Sequence, residues 1–120
     1  MFRWWKDDIT VYHRIRNNES GRTVTSWISE HCKNCYFSVK AQQRMVDNIL
    51  EERTVRFVRI PKLNLPLQKG DIVVNDTVND EITSTSGKEI LEEYAEAFVV
   101  DTVKDNRGVN KELKHVYGSE

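Results

Sequence analysis

The chain has 120 residues, of which 38% are hydrophobic and 31% are charged, and its formal net charge at pH 7 is −1. This length predicts a single domain with one modest core. The near-zero net charge argues against a protein that coats nucleic acid nonspecifically, which needs a large basic excess. No apolar run approaches the ~20 residues of a membrane-spanning helix. Because the first residues lack the apolar stretch of a signal peptide, we expect synthesis in the cytosol.

The chain begins with a predicted β-hairpin. Residues 8–16 alternate between apolar and polar side chains, which indicates a half-buried strand. One side of that strand carries Ile9, Val11, His13 and Ile15. Residues 17–21 are turn formers, and residues 22–28 are rich in β-branched side chains. We therefore expect the two runs to pair.

Cys32 and Cys35 follow in a CxxC spacing. Such a pair supplies half of a zinc site or the reactive pair of a redox centre. The redox interpretation needs a helix N-terminus, whereas residues 35–40 are typical of a third strand. The remaining stronger zinc ligands are His13, His31 and His115, and there is no second CxxC. The favoured interpretation is two reduced cysteines at a strand start with one packed inward, and a zinc shared between subunits is the alternative.

The middle of the chain is ambiguous at one place. In residues 41–52, four apolar side chains fall at helical spacing, which predicts either a loop or a short amphipathic helix. They are Met45, Val46, Ile49 and Leu50. Residues 54–60 form a clear strand that Pro61 ends, because proline removes a ladder donor. Residues 70–75 predict a turn followed by a short strand.

The last third of the chain predicts one helix and a closing hairpin. Ser86 as N-cap with Glu89 three residues later is a capping box, and it predicts a helix near residues 87–95. Residues 98–103 and 112–117 predict two strands joined by a turn that contains Asp105, Asn106 and Gly108.

These elements predict a mainly β fold, a small partly closed β-barrel or sandwich with one short helix. We expect residues 1–7 to form an N-terminal arm and residues 8–120 to form the single barrel domain. The three histidines are too scattered to place a base beside a nucleophile, and Asp71 is interpreted as a turn residue. The sequence has no phosphate-binding glycine loop, HExxH or GxSxG motif, so no enzymatic activity is expected.

Five short motifs, in this order along the chain, resemble a family of small virion proteins from tailed phages of Gram-positive bacteria, called minor capsid or head–tail connector proteins. They are residues 8–13 (DITVYH), 60–61 (IP), 70–74 (GDIVV), 103–108 (VKDNRG) and 113–115 (LKH). The resemblance extends from about Asp8 to Tyr117. It implies a small β-barrel that assembles into a homo-oligomeric ring in the virion neck, with six or twelve subunits.

By this resemblance the ring is a head-completion or stopper protein, assembled in the host cytoplasm. It would lie below the portal adaptor ring and above the tail terminator or tail tube, close the DNA exit channel, and contact the packaged DNA. No cofactor and no membrane are implied. The alternatives are a tail terminator or another minor capsid protein of the same virion, and a zinc- or nucleic-acid-binding β-barrel module.

Three groups of side chains are candidates for interfaces. Trp4 and Trp5 either cap the barrel core or form an arm that docks on a neighbouring subunit. Arg44 and Arg53 either face DNA or, as the nearby glutamates favour, belong to a mixed-charge surface. Residues 75–86, with Asp76 and Asp80, are either an exposed loop or a mobile segment that narrows the channel or receives the tail.

Overall fold

The computed structural model of the chain describes residues 5–105 and 116–120. Within those residues seven strands and one helix are defined, so the prediction of a mainly β fold with one short helix is confirmed. They are β1 (Asp7–Glu19), β2 (Arg22–Val46), β3 (Ile49–Ile60), β4 (Ile72–Val74), α1 (Lys88–Glu93), β5 (Ala97–Val99), β6 (Thr102–Asp105) and β7 (Val116–Ser119). Among the described residues, no helix is long and apolar enough to span a membrane.

The strands form one antiparallel sheet in the order β5-β4-β1-β2-β3-β7-β6. Its two edge strands, β5 and β6, are consecutive in the chain and are separated only by Val100 and Asp101. At this corner the Val100 N–H donates to the Asp71 carbonyl at 2.8 Å, and the Asp101 N–H donates to the Ser119 carbonyl at 2.7 Å. The described residues form no β5–β6 ladder. The sheet therefore brings its two ends together without closing into a barrel.

The longest strand, β2, joins the two halves of the sheet. Its first part pairs with β1 as far as Cys35, and its second part pairs with β3 from Tyr36 onwards. The two separate strands predicted at residues 22–28 and 35–40 are thus one strand, because residues 29–32 also pair with β1.

Apolar side chains cover both faces of the sheet. The inner core consists of Ile9, Val11, Cys32, Cys35, Val58, Ile60, Leu63, Leu67, Val73, Phe98, Val100 and Val116. The outer core consists of Tyr12, Ile72, Val74, Val78, Ile90 and Ala97, with Trp27, Ile82, Leu91 and Tyr94 packed against it. Alternation along β1 and β4 supplies both cores, since neighbouring residues of a strand point to opposite faces. Helix α1 and residues 75–86 cover the outer core.

The capping box predicted at Ser86 is wrong, because the helix has Gly87 as its N-cap, without a side-chain hydrogen bond. Gly87 has φ 71°, and a Cβ there would lie 2.3 Å from Ile72 Cδ1. The glycine therefore sets the helix start. Glu89 instead accepts hydrogen bonds from Ser84 Oγ and from the N–H groups of Thr83 and Ser84. These bonds, led by that from Ser84, lower the pKa of Glu89 to about 2.

The loop or short helix predicted for residues 41–52 is also wrong, because this segment is an antiparallel hairpin. β2 and β3 stay paired up to Val46 opposite Ile49. Asp47 and Asn48 form the two-residue turn, with φ of 51° and 64°. Two successive positive φ values suit the right-handed twist of a hairpin, and asparagine and aspartate tolerate them best after glycine.

The C-terminal hairpin is present as a pairing of β6 with β7, from Thr102 opposite Ser119 to Asp105 opposite Val116. The single strand predicted at residues 98–103 is wrong, because the chain changes partner at Val100 and Asp101, from β4 to β7, and so forms two strands, β5 and β6. Of the hairpin's predicted turn residues, Asp105 ends β6, and Asn106 and Gly108 lie outside the described residues. The strands predicted at residues 8–16 and 54–60, and the short strand after Gly70, match β1, the second half of β3, and β4.

Candidate functional site

A two-stranded arm projects from the sheet. We call residues 39–54 the hairpin arm; they are exposed throughout except for the half-buried Val46. The ladder between β1 and β2 ends at Cys35, and the ladder between β3 and β7 begins at Phe57. The arm therefore extends beyond both neighbouring strands, and its own two strands contact only each other along the ladder.

The end of the arm is apolar on both of its faces. We call Met45, Val46, Ile49 and Leu50 the arm tip. Met45 pairs with Leu50 on one face, and Val46 pairs with Ile49 on the other. Met45 and Ile49 are each 64% exposed and Leu50 is 59% exposed. Clustered apolar side chains at such exposure are typical of surfaces that bind another protein.

The two basic interface candidates of the arm are exposed. Arg44 lies opposite Glu51, and Arg53 lies opposite Gln42. Between Lys40 and Arg53 the chain carries three basic and three acidic residues. This balance favours the mixed-charge interpretation of the arm over a surface that faces DNA.

Trp5 is buried, with only 5% of its surface exposed, whereas Trp4 lies outside the described residues. The Trp5 ring packs 6.2 Å from that of Tyr36, which in turn lies 6.0 Å from Phe57. Tyr117 continues this row on β7, at 5.6 Å from Phe57. Trp5 is therefore part of the packed domain, which agrees with the interpretation that it caps the core.

Residues 75–86, which include Asp76 and Asp80, are a strap held against the outer face of β1 and β2. The carbonyl of Asp76 accepts a hydrogen bond from Thr10 Oγ1 at 2.8 Å, and that of Asp80 accepts one from Tyr12 Oη at 2.7 Å. Trp27 Nε1 donates to the Ser84 carbonyl at 3.0 Å. The strap has no helix or strand, yet buried side chains of the sheet fix its backbone.

The carboxylate of Asp80 also reaches α1. Its Oδ2 accepts a hydrogen bond from Tyr94 Oη at 2.7 Å, and this bond raises the pKa of Tyr94 to about 12. Asp76 uses its side chain locally, because Oδ1 accepts the Thr77 N–H at 2.8 Å. Both side chains remain exposed to solvent, but each contributes a hydrogen bond that shapes the strap.

A buried cluster of His13, Glu30 and Asp71 joins β1, β2 and the turn before β4. His13 Nε2 lies 2.9 Å from Glu30 Oε2, and His13 Nδ1 lies 3.3 Å from Asp71 Oδ2. The side chains of His13 and Asp71 are each only 3% exposed. Asp71 also accepts the N–H groups of Arg14 and Gln68, each at 2.9 Å. Asp71 is therefore a turn residue, as predicted, and also a carboxylate that bonds three partners.

The cluster favours a protonated imidazole. Burial lowers the pKa of His13, but the hydrogen bonds and charges of Asp71 and Glu30 outweigh it, so the pKa is raised above 6.5. Because each ring nitrogen already faces a carboxylate, the cluster holds elements together and leaves neither nitrogen free to act as a base.

We expect the free energy of unfolding to fall as the pH rises from about 6 to about 8, because of His13. Because the pKa of His13 is raised above 6.5 in the native state, the histidine stabilises the fold fully below pH 6.5. This contribution is lost as the pH rises through the native pKa. Urea titrations of the wild type and of His13→Gln at both pH values check this. The fall in the free energy of unfolding with pH should be absent in His13→Gln. An equal fall in both proteins would contradict its attribution to His13.

Cys32 and Cys35 are free thiols, and both face the inner core. Asp7 pairs with Cys35 and Ile9 with Cys32, so β2 has one residue more than β1 in this stretch, and Asn34 there has φ 57°. This bulge turns both cysteines inward, whereas residues three apart in a regular strand point to opposite faces. The prediction that one packs inward, at a strand start, is thus corrected: both do, within β2.

The two thiols interact with each other. A hydrogen bond with Cys35 lowers the pKa of Cys32, although burial opposes this, and the same bond together with burial raises the pKa of Cys35. Within the residues that the structure describes, no three His, Cys, Asp or Glu side chains lie close enough to hold a metal ion. A zinc site at this pair would need further ligands from outside the described residues.

A second exposed apolar surface lies at the other end of β2. We call Ile15, Val24, Ile28 and Leu65 the β2-start patch. Val24, Ile28 and Leu65 are 41%, 48% and 36% exposed. The Leu65 N–H donates to Glu30 Oε2 at 3.3 Å, and Leu65 lines a small cavity of about 70 Å³ together with Ile15. Sequence reasoning missed this patch, since its members belong to three separate segments.

The model of one protein family, described as a family of unknown function (DUF6751), matches residues 4–117. No curated protein and no solved structure matches the chain.

Proposed function

We propose that this chain, which belongs to the DUF6751 family of unknown function, is a structural protein of a phage neck, a head-completion or stopper protein that forms a homo-oligomeric ring. The ring closes the DNA exit channel below the portal adaptor and provides the surface to which the tail attaches. The function is assembly, with no bond-making step.

The hairpin arm is the observation that carries this proposal. A two-stranded ribbon is marginally stable alone in water, so exposing one with apolar side chains on both faces is costly unless a partner covers it. Met45, Ile49 and Leu50 are each more than half exposed. A rigid two-core sheet with one such projection suits a subunit that reaches a neighbour. The proposed place in the virion rests on the resemblance of the five ordered sequence motifs to those of phage neck proteins.

Electron microscopy of purified particles tests the location. The particles come from a phage that encodes this chain and carry a labelled antibody fragment raised against the purified protein. We expect the label at the neck, between head and tail. Label only on the tail side, at the far end of the neck, would favour a tail terminator. Label over the capsid surface would favour another minor capsid protein. Particles without label would contradict a virion protein of any kind.

The zinc alternative rests on Cys32 and Cys35 alone. Elemental analysis of the purified wild type, beside a protein with both cysteines replaced by serine, decides it. Zinc bound in proportion to the wild-type chain and lost in the variant would favour a metal-binding module. For a neck protein we expect neither sample to contain stoichiometric zinc.

A further inference from the structure

We propose that Cys32 and Cys35 form a reversible disulfide within β2, so that the pair is a redox-sensitive modification site. The oxidant is a small soluble disulfide of the glutathione class. Cys32 is the thiol that reacts first, and Cys35 is the thiol that completes the bond. The inference goes beyond the proposed function and does not depend on it, because both thiols belong to one subunit.

The β-bulge brings the two cysteines within the reach of a disulfide. Cys32 lies opposite Ile9 and Cys35 lies opposite Asp7, two residues apart on β1. Two residues of a strand advance by about 6.5 Å, so the Cα atoms of the cysteines, which span the same stretch of ladder, are about this far apart. Disulfides join Cα atoms that are about 4.4–6.8 Å apart. Without the bulge, cysteines at this spacing would point to opposite faces of the sheet.

The two sulfur atoms meet on the same side of the sheet. Both thiols face the inner core. The Cys35 S–H donates to the Lys33 carbonyl at 3.6 Å. When Cys32 loses its proton, the same S–H can turn to the thiolate. This hydrogen bond with Cys35 lowers the pKa of Cys32, although burial and the negative charge of Glu30 oppose it.

The second thiol does here what a helix N-terminus does in other redox pairs, which is to favour the thiolate of its partner. The pKa of Cys35 itself is raised, by the same hydrogen bond and by burial. The thiolate is the nucleophile in thiol–disulfide exchange. Of the two cysteines, Cys32 is therefore the one suited to attack an oxidant.

Cys32 also lies closer to solvent than Cys35. It is 4% exposed, and it lines a surface cavity of about 480 Å³ together with Lys33 and Pro61. Cavities of this size hold small molecules. Cys35 is 0% exposed. Access and thiolate character thus give the same order, with Cys32 as the first thiol to react.

Oxidation proceeds by two exchanges. The Cys32 thiolate, whose proton passes to solvent, attacks one sulfur of the soluble disulfide, so a mixed disulfide forms and one thiolate of the reagent leaves. Cys35 then loses its proton and attacks the Cys32 sulfur, which forms the Cys32–Cys35 bond and releases the second thiolate. The two released thiolates take up two protons. The reagent therefore gains the two electrons that the cysteines lose.

The bond would fix the bulge at the root of the hairpin arm. β2 pairs with β1 as far as Cys35 and with β3 from Tyr36 onwards, so the bond lies where the strand changes partner. The closed loop contains only residues 32–35, and a short loop constrains the unfolded chain less than a long one. Its effect is therefore local. Reducing surroundings keep the pair as thiols, and oxidising surroundings close it.

Peptide mapping of the native full chain tests the site. The reduced protein is incubated with oxidised glutathione, the remaining thiols are blocked with iodoacetamide, and the monomer band of a non-reducing gel is digested with trypsin. Trypsin cleaves after Lys33, between the two cysteines, so only a disulfide keeps their peptides together. We expect the linked peptides, and their separation by dithiothreitol. Both cysteines blocked, or a link found only in covalent dimers, would overturn the inference.

Two matched variants test the order of attack. In Cys35→Ser no second thiol displaces glutathione, so we expect glutathione to stay attached at Cys32. Cys32→Ser keeps only the buried thiol, and it should take up glutathione at least about tenfold more slowly. Equal rates would contradict the assignment of Cys32 as the first thiol. Circular dichroism checks that each variant folds, and the wild-type map needs no substitution, so it decides the disulfide in either case.

Discussion

Replacement of Asp71 by alanine is expected to lower the free energy of unfolding by about 3–5 kcal/mol. The substitution leaves His13 facing only Glu30, and it removes the acceptor of two backbone N–H groups, those of Arg14 and Gln68. Buried groups that lose their partner bear the full cost of desolvation. Urea unfolding at constant pH measures the effect.

Asp71→Asn is the control for shape. The amide keeps one carbonyl oxygen for a backbone N–H but lacks the negative charge beside His13, so we expect an intermediate loss of stability. It should also lower the pKa of His13 relative to the wild type, which NMR titration of the imidazole detects. A loss below about 1 kcal/mol for Asp71→Ala would show that the cluster adds little to the fold.

Shortening the hairpin arm is expected to abolish self-association while leaving the domain folded. Residues 41–46 and 49–54 are deleted, so that Asp47 and Asn48 connect Lys40 directly to Val55. Lys40 and Val55 already face each other across the ladder between β2 and β3. Because six residue pairs are removed, an even number, the side chains that remain keep their alternation between the two faces. The native turn is thus transplanted without a change of register.

The free energy of unfolding should change by no more than about 1 kcal/mol, because a two-stranded ribbon is only marginally stable in water. Neither core loses a side chain. Sedimentation velocity and urea unfolding of the shortened protein check both halves of the expectation. Loss of the fold would mean that the arm stabilises the sheet, and retained oligomers would place the subunit contact elsewhere.

Most strands were predictable because alternation is a local signal. β1 and the later part of β3 show it, whereas the short β4 is a continuous apolar run that follows a turn. The helix near residues 87–95 was predicted from a capping box at Ser86 and Glu89. Its cap was misplaced because Ser86 and Glu89 fit the motif, whereas the close approach of Gly87 to Ile72 decides where the helix starts. The contact between Gly87 and Ile72 joins residues that are distant in the chain, so the local sequence pattern does not predict it.

The arm was misread for a specific geometric reason. Two apolar pairs flank a two-residue turn, so Met45 and Val46 precede it and Ile49 and Leu50 follow it. The resulting spacing of four is also the spacing of one helical face. Asp47 and Asn48 are the residues that distinguish the two cases, because both favour a turn with positive φ.

The histidine cluster had one usable signal in the sequence. His13 occupies the same side of β1 as the apolar Ile9 and Val11, which predicts a buried imidazole that needs polar partners. Those partners lie 17 and 58 residues away along the chain. The alternating pattern fixes the side on which His13 lies but contains no information on which distant carboxylates meet it.

The single strand β2 has a consequence for folding as well. The two longest ladders of the sheet both use it, so neither half can melt without exposing one long edge of the other. Equilibrium unfolding should then be all-or-none, and amide exchange should be protected to a similar degree on β1 and on the part of β3 that pairs with β7. Since the pairings of β1 with β4 and of β3 with β7 join distant parts of the chain, refolding should be slow for a protein of this length.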